Sequence, residues 1–123
     1  MPSHKLRPCP WTPNCVSSCD RDKKHKVAPI TYDIDEKAAL TILKDAINML
    51  DRVTITAQKS DYIHAECKSK VFGFVDDVEF YIDREAKVIH VRSASRLGFS
   101  DFGVNRKRIE LIRKNFNYLK GRL

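Results

Sequence analysis

Two groups of residues in this chain have the types and the spacing to do chemistry. The first lies in the run VRSASRLGFSDFGVNRKRIELIR, residues 91–113, where Arg92, Ser93, Ser95, Arg96, Ser100, Asp101, Asn105, Arg106 and Arg108 follow one another closely. The run reads as a strand, a Ser/Gly loop and then a helix whose first turn carries Arg106, Lys107 and Arg108. That placement is electrostatically backwards, because a helix N-terminus is the positive end of the backbone dipole and each cation there costs a few tenths of a kcal/mol. An anion is therefore expected nearby. Helix N–H groups, serine hydroxyls and arginine forks suit a phosphate or carboxylate ligand. The competing reading supplies the anion from within: Asp101 or Ser100 caps the helix, and Asp76 or Asp77 neutralises Arg106 and Arg96. The internal reading is placed ahead, since the acids present are enough to balance the arginines.

The second group is Cys9-x5-Cys15-x3-Cys19-x5-His25. Three thiols and an imidazole can close a tetrahedral zinc site, although paired CxxC knuckles are missing. The same cysteines read equally as free thiols partly buried by the segment around them, which is favoured, or as a disulfide such as Cys9–Cys15, which a reducing cytoplasm disfavours. Cys15 next to a histidine, His64 or His90, would have the parts of a nucleophile. No elbow, phosphate loop or paired-histidine motif accompanies it, so whether the chain is an enzyme stays open. Arg106, Lys107, Arg108, Arg113, Lys114, Lys120 and Arg122 could follow a nucleic-acid backbone, but no reading motif or stacking platform goes with them, and nucleic acid is disfavoured.

These residues have to be positioned by an ordinary small domain. The 123 residues carry one hydrophobic core comfortably and two poorly. Residues 1–29 hold all five prolines and three of the four cysteines with no apolar periodicity, and read as an irregular arm. Trp11 is expected to anchor that arm on the body. Residues 30–123 form the domain. Asp33 or Asp35 caps a helix in which Ala39, Ile42, Leu43, Ala46, Ile47 and Leu50 recur at three- and four-residue spacing. Four alternating segments follow, at 53–58, 62–67, 78–82 and 88–94, with a bend or bulge expected at Gly73. Ile109, Ile112, Phe116 and Leu119 mark a last amphipathic helix. The pattern predicts an α+β fold in two layers: a four-stranded antiparallel meander with both helices on one face. The opposite face would show Thr54, Thr56, Tyr62, His64, Glu66, Glu79, Tyr81, His90 and Arg92.

Charge is uneven along the chain. Residues 1–29 hold six Lys/Arg against two acids, residues 30–103 ten against thirteen, and residues 104–123 seven against Glu110 alone, for a net +7. The basic ends either dock on the acidic middle, which is favoured, or face a polyanion. No apolar run approaches the ~18 residues of a membrane span, and the N-terminus has neither a secretory nor a transit pattern, so a cytoplasmic protein is expected.

The segments PCPWTPNCVSS (8–18), GFVDDVEF (73–80) and RSASRLGFSDFGVNRKRIELIR (92–113) resemble, in that order, the family catalogued as domain of unknown function 1499. The resemblance spans nearly the whole chain and implies no activity, substrate or cofactor. It marks Pro13, Asn14, Cys15, Ser17, Asp76, Asp77, Arg92, Ser93, Ser95, Arg96, Ser100, Asp101, Gly103, Asn105, Arg106 and Arg108. The expected function is a non-catalytic binding or scaffolding module whose polar edge recognises an anionic small molecule or acidic partner. The alternative is a metal-binding or redox role centred on Cys9, Cys15, Cys19 and His25.

Overall fold

A computed structural model describes residues 6–70, 73–98 and 101–123. In chain order the elements are β1 (Cys15–Ser17), β2 (Ile30–Thr31), α1 (Glu36–Asn48), β3 (Val53–Gln58), β4 (Tyr62–Lys68), β5 (Val75–Asp83), β6 (Val88–Ser95) and α2 (Val104–Lys120). The α+β architecture and the antiparallel meander β3-β4-β5-β6 are as the alternation predicts. The sheet is wider than expected, because the arm adds two short strands to the outer edge of β6. The order is β1-β6-β5-β4-β3 with β2 also on β6. β1 pairs Cys15 with Ala94 and Ser17 with Arg92, while β2 pairs Ile30 with Ile89.

One face of the sheet is apolar by simple alternation. Ile63, Ala65 and Cys67 of β4, Val78, Phe80 and Ile82 of β5, and Ile89 and Val91 of β6 share it, and the register sets Ile63 opposite Phe80 and Phe80 opposite Val91. α1 contributes Ala39, Ile42, Leu43, Ala46 and Ile47 to the same core, and α2 contributes Ile109, Ile112 and Phe116. Two amphipathic helices and a one-sided sheet thereby bury one another's apolar stripes. Asp35 caps α1 through the amides of Lys37 and Ala38. Asn115 of α2 donates to the Ala46 carbonyl at 3.2 Å and fixes the helices against each other.

The arm departs from expectation in three ways. It is not irregular throughout, since Cys15–Ser17 is strand and Val16 and Val27 lie in the main core. Trp11 does not anchor it, being 77% exposed. The anchors are the ladder to β6 and a Cys9–Cys15 disulfide, not the free thiols favoured from sequence. A strand ladder satisfies backbone groups along the whole segment, which one aromatic contact cannot do. The bulge also lies elsewhere: β3 shifts register between Ile55 and Ala57, whereas Gly73 adopts φ +67° in the loop before β5. Val71 and Phe72, part of the same expected segment, lie outside the described residues.

The disulfide closes a loop only six residues apart in sequence. Its chain-entropy contribution is about 2 kcal/mol. Cys9→Ala, or reduction of the native protein, is expected to lower unfolding free energy by about that amount, read as a shifted urea midpoint.

Candidate functional site

Strand parity decides where the polar residues of the sequence reading go. Asp76 and Asp77 are neighbours on β5, so their side chains leave on opposite faces of the sheet. Asp76 shares the helix-covered face with Ser93 and Ser95, and Asp77 shares the other with Arg92 and Arg96. The single crowded edge anticipated from sequence is therefore two separate clusters.

The inner cluster is built around Asn105, which is fully buried at the second residue of α2. Its Nδ2 donates to Asp101 Oδ2 at 2.7 Å, to Ser95 Oγ at 2.9 Å and to the Asn14 carbonyl at 3.2 Å. Its Oδ1 accepts from the Ser93 hydroxyl at 2.6 Å and from Arg108 Nη1 at 2.8 Å. Arg108 completes its pairing with Asp76 at 2.8 Å. Asp101 also accepts from the amides of Gly103 and Asn105, at 2.8 and 3.1 Å. Burial pushes the Asp101 carboxyl up, but these hydrogen bonds prevail and hold it below the usual range. Asp101 and Asp76 are thus anions that the arginine-rich helix start demands, supplied from within the chain.

The outer cluster runs across β4, β5 and the end of β6. Arg96 grips Asp77 with Nε and Nη2, both at 2.8 Å, and reaches Glu66 at 2.8 Å. Asp77 also meets His64 Nε2 at 2.8 Å, and the Thr56 hydroxyl bonds His64 Nδ1. The guanidinium beside Asp77 draws its carboxyl below the usual carboxylate range. Farther along the same face Arg92 faces Glu79 across 3.6 Å, both largely buried, and Tyr62 donates its hydroxyl to Glu79. Burial first, and then Glu79, pushes the Tyr62 phenol up; burial likewise pushes the Arg92 guanidinium down. The arm closes over this end, with the Pro8 carbonyl 3.5 Å from Arg92 Nη2 and Ser18 bonded to His90. Of the polar face drawn from sequence, the β6 side is covered and Thr54 and Thr56 stay exposed.

Arg106 joins neither cluster. It donates to the carbonyls of Lys26 and Lys24, at 2.7 and 3.1 Å, and so pairs with neither Asp76 nor Asp77. Ser100 lies outside the described residues. The zinc-type set is not assembled, because Cys9 and Cys15 are joined to each other and His25 turns to Asp22 and Thr12. Cys15 accordingly offers no thiol as a nucleophile, and Cys19 and Cys67 are the cysteines that lie outside a disulfide among the described residues. Cys67 is buried among core residues, where desolvation pushes its thiol up.

Sequence reasoning missed a cavity of about 360 Å³ at the loop end of the sheet. Phe74, Val75, Leu97, Phe102 and Val104 form its apolar lining, with Asp76, Ser95 and Asp101 among its polar groups. The signal was present in Gly73-Phe74 and in Leu97-Gly98, apolar residues set beside glycines that turn the chain. Gly98 and Gly103, at φ +87° and +81°, carry the second loop through backbone conformations that side chains resist.

A two-layer α+β domain, with a disulfide-strapped arm completing its sheet and an internally neutralised arginine cluster at the start of its last helix, is the class these features define. The chain belongs to the family described as Protein of unknown function (DUF1499), whose model matches residues 5–116. No curated protein matches the chain.

Two outcomes test the clusters. Asn105→Ala leaves Ser93, Ser95 and the Asn14 carbonyl without their shared partner and is expected to cost roughly 3 kcal/mol, measured by chemical denaturation. The Asp77 carboxyl titrates lower in the folded protein than in the unfolded chain, so its contribution is complete above the unfolded value of 3.8 and is lost as pH falls through the folded one. Asp77→Asn should therefore flatten the acid limb of the stability–pH curve while leaving its neutral limb parallel to wild type.

Proposed function

We propose that the protein is a non-catalytic binding module whose ligand occupies the cavity at the loop end of the sheet. The observation that carries this reading is the lining itself: apolar side chains from two loops surround Asp76, Ser95 and Asp101. A mostly apolar hollow with a few polar groups is the usual form of a small-molecule site. The ligand-binding set of the sequence reading narrows accordingly to those three residues. Arg96, Arg106 and Arg108 already hold carboxylates or carbonyls, so a bare phosphate would have to displace an existing partner. An apolar molecule carrying a hydrogen-bond donor meets the acceptors that are there.

The test uses N-phenyl-1-naphthylamine, a neutral apolar fluorophore with one N–H donor. The native protein is expected to enhance its fluorescence saturably at one equivalent, and Val104→Trp, which fills the cavity from an exposed helix position, to abolish the effect. Enhancement that does not saturate, or that survives the filling variant, would overturn the proposal.

The Cys9–Cys15 disulfide favours a second, compatible reading of the cysteines as a structural strap in an oxidising compartment, in preference to the cytoplasm. No helix among the described residues is long and apolar enough to cross a membrane.

A further inference from the structure

The loop between β1 and β2 holds a hydrogen-bonding arrangement that one neutral imidazole cannot satisfy. His25 is buried at 5% exposure. Its Nε2 lies 2.8 Å from the carbonyl oxygen of Thr12, which can only accept, so Nε2 carries a hydrogen. Its Nδ1 lies 2.7 Å from a carboxylate oxygen of Asp22. A neutral ring with its hydrogen on Nε2 would point the Nδ1 lone pair straight at that anion. The contact as it stands takes a proton on Nδ1, which a metal ion ligated by both atoms at about 2.0 Å would replace, parting them slightly.

The surroundings favour a metal over a proton. Asp20 brings a second carboxylate, and one ligand atom from each of Asp20, Asp22 and His25 lies within 4.8 Å of the others. A single proton on His25 balances Asp22 alone, and Asp20 has only the Cys9 amide and the longer-range field of Arg92, whereas a divalent ion would bring both carboxylates onto one charge. The ring is held as metal-bound histidines are held, with the nitrogen not facing the ion donating to a backbone carbonyl and so fixing the tautomer. Asp20 is oriented by the Cys9 amide at 3.2 Å, and the disulfide fixes Cys9 in turn. The loop backbone is equally fixed: the Ser17 amide donates to the His25 carbonyl at 2.8 Å, and the Lys26 amide to the Asp22 carbonyl at 2.9 Å. The basic side chains of the loop itself, Arg21, Lys23 and Lys24, are solvent-exposed, where screening weakens their repulsion of a cation, and buried Arg92 is already paired with Glu79.

We propose that Asp20, Asp22 and His25 bind one divalent transition-metal ion of the zinc class. One imidazole nitrogen and two carboxylate oxygens suit that class, and three protein ligands leave a coordination position for water. This position opens on a hollow lined by Cys9, Pro10, Trp11, Asp22, Lys24 and His25. The set differs from the one read in the sequence, sharing only His25 with it, and uses no sulfur. The proposal is independent of the loop-end cavity.

The experiment is a calorimetric titration of zinc chloride into the full-length, chelator-stripped protein with its disulfide intact, with Trp11 fluorescence recorded in parallel. One equivalent is expected to bind saturably. Asp20→Asn and Asp22→Asn, at side chains outside the core, are each expected to weaken binding at least tenfold while leaving the thermal unfolding of the metal-free protein cooperative. Cys19→Ser is expected to leave binding unchanged. Absence of saturable binding, binding that both aspartate variants retain, or binding lost with Cys19 would each overturn the site.

Discussion

The buried carboxamide of Asn105 is the interaction on which the rest of the structure depends. Its two polar atoms meet five partners drawn from the arm, β6, the loop before α2, and α2 itself. An apolar residue there would take a partner away from two hydroxyls, a carbonyl and Asp101 at a fully buried position, and an acid would place a third anion beside Asp101 and Asp76. Only a side chain with a donor and an acceptor on one small plane answers all of them. Because the network is filled, it specifies one seating of α2 on the sheet and one height of the arm against β6.

From that node the placement of every other polar group follows by parity. β5 and β6 run past each other with Asp76 opposite Ser95 and Glu79 opposite Arg92, so each one-residue step changes the face. The inner acid, Asp76, meets the helix arginine, Arg108, and the outer acid, Asp77, meets Arg96, the residue that follows β6. The surface pairs contribute little in solvent. The inner pair is different: with each side chain 14% exposed, loss of either partner would strand a charge against the core. The inner cluster is accordingly a structural element first, and it reaches ligand chemistry only where Asp76, Ser95 and Asp101 border the loop-end cavity.

Much of this was legible in the residues. The helices were readable because Ala39, Ile42, Leu43, Ala46 and Ile47, and then Ile109, Ile112 and Phe116, keep a helical period, and the meander because Ile63, Ala65, Val78, Phe80, Ile89 and Val91 alternate. The need for an anion at the start of α2 was readable from the dipole, and Asp76 meets Arg108 there, whereas Arg106 takes backbone carbonyls. The arm strands were not, since three residues and two residues are too short for alternation to register, and prolines on either side argue for irregular chain. The disulfide was set aside because a reducing compartment was assumed, and residue types alone do not weigh that assumption. The division of the polar residues into two clusters was legible in principle, but it requires assigning Asp76 and Asp77 to faces, which proximity in sequence obscures. Gly73-Phe74 and Leu97-Gly98 each mark a turning loop with an apolar residue, but the cavity depends on those two loops meeting, which neither stretch encodes by itself.

The fate of the basic C-terminal helix explains how the arm and the body became one unit. Its arginines were expected to seek the acidic middle, and Arg108 does, but Arg106 turns to backbone, and so does Arg113 besides pairing with Glu110 of its own helix. Arg106 takes the carbonyls of Lys24 and Lys26, and Arg113 those of Ala28 and Pro29. The two basic ends of the chain are therefore joined to each other, through neutral acceptors that carry no opposing charge to be screened by salt. A carbonyl accepts a guanidinium without the desolvation cost of bringing a second ion under cover. The same contacts hold the loop that carries Asp22 and His25: the carbonyls of Lys24, His25 and Lys26, three in succession, are bound by Arg106, the Ser17 amide and Arg106 again. A polar loop on the surface would ordinarily be the softest part of such a domain. Here α2 and β1 clamp its backbone from two sides, so the orientation of the His25 ring toward Asp22 is set by the same helix start that Asn105 seats on the sheet.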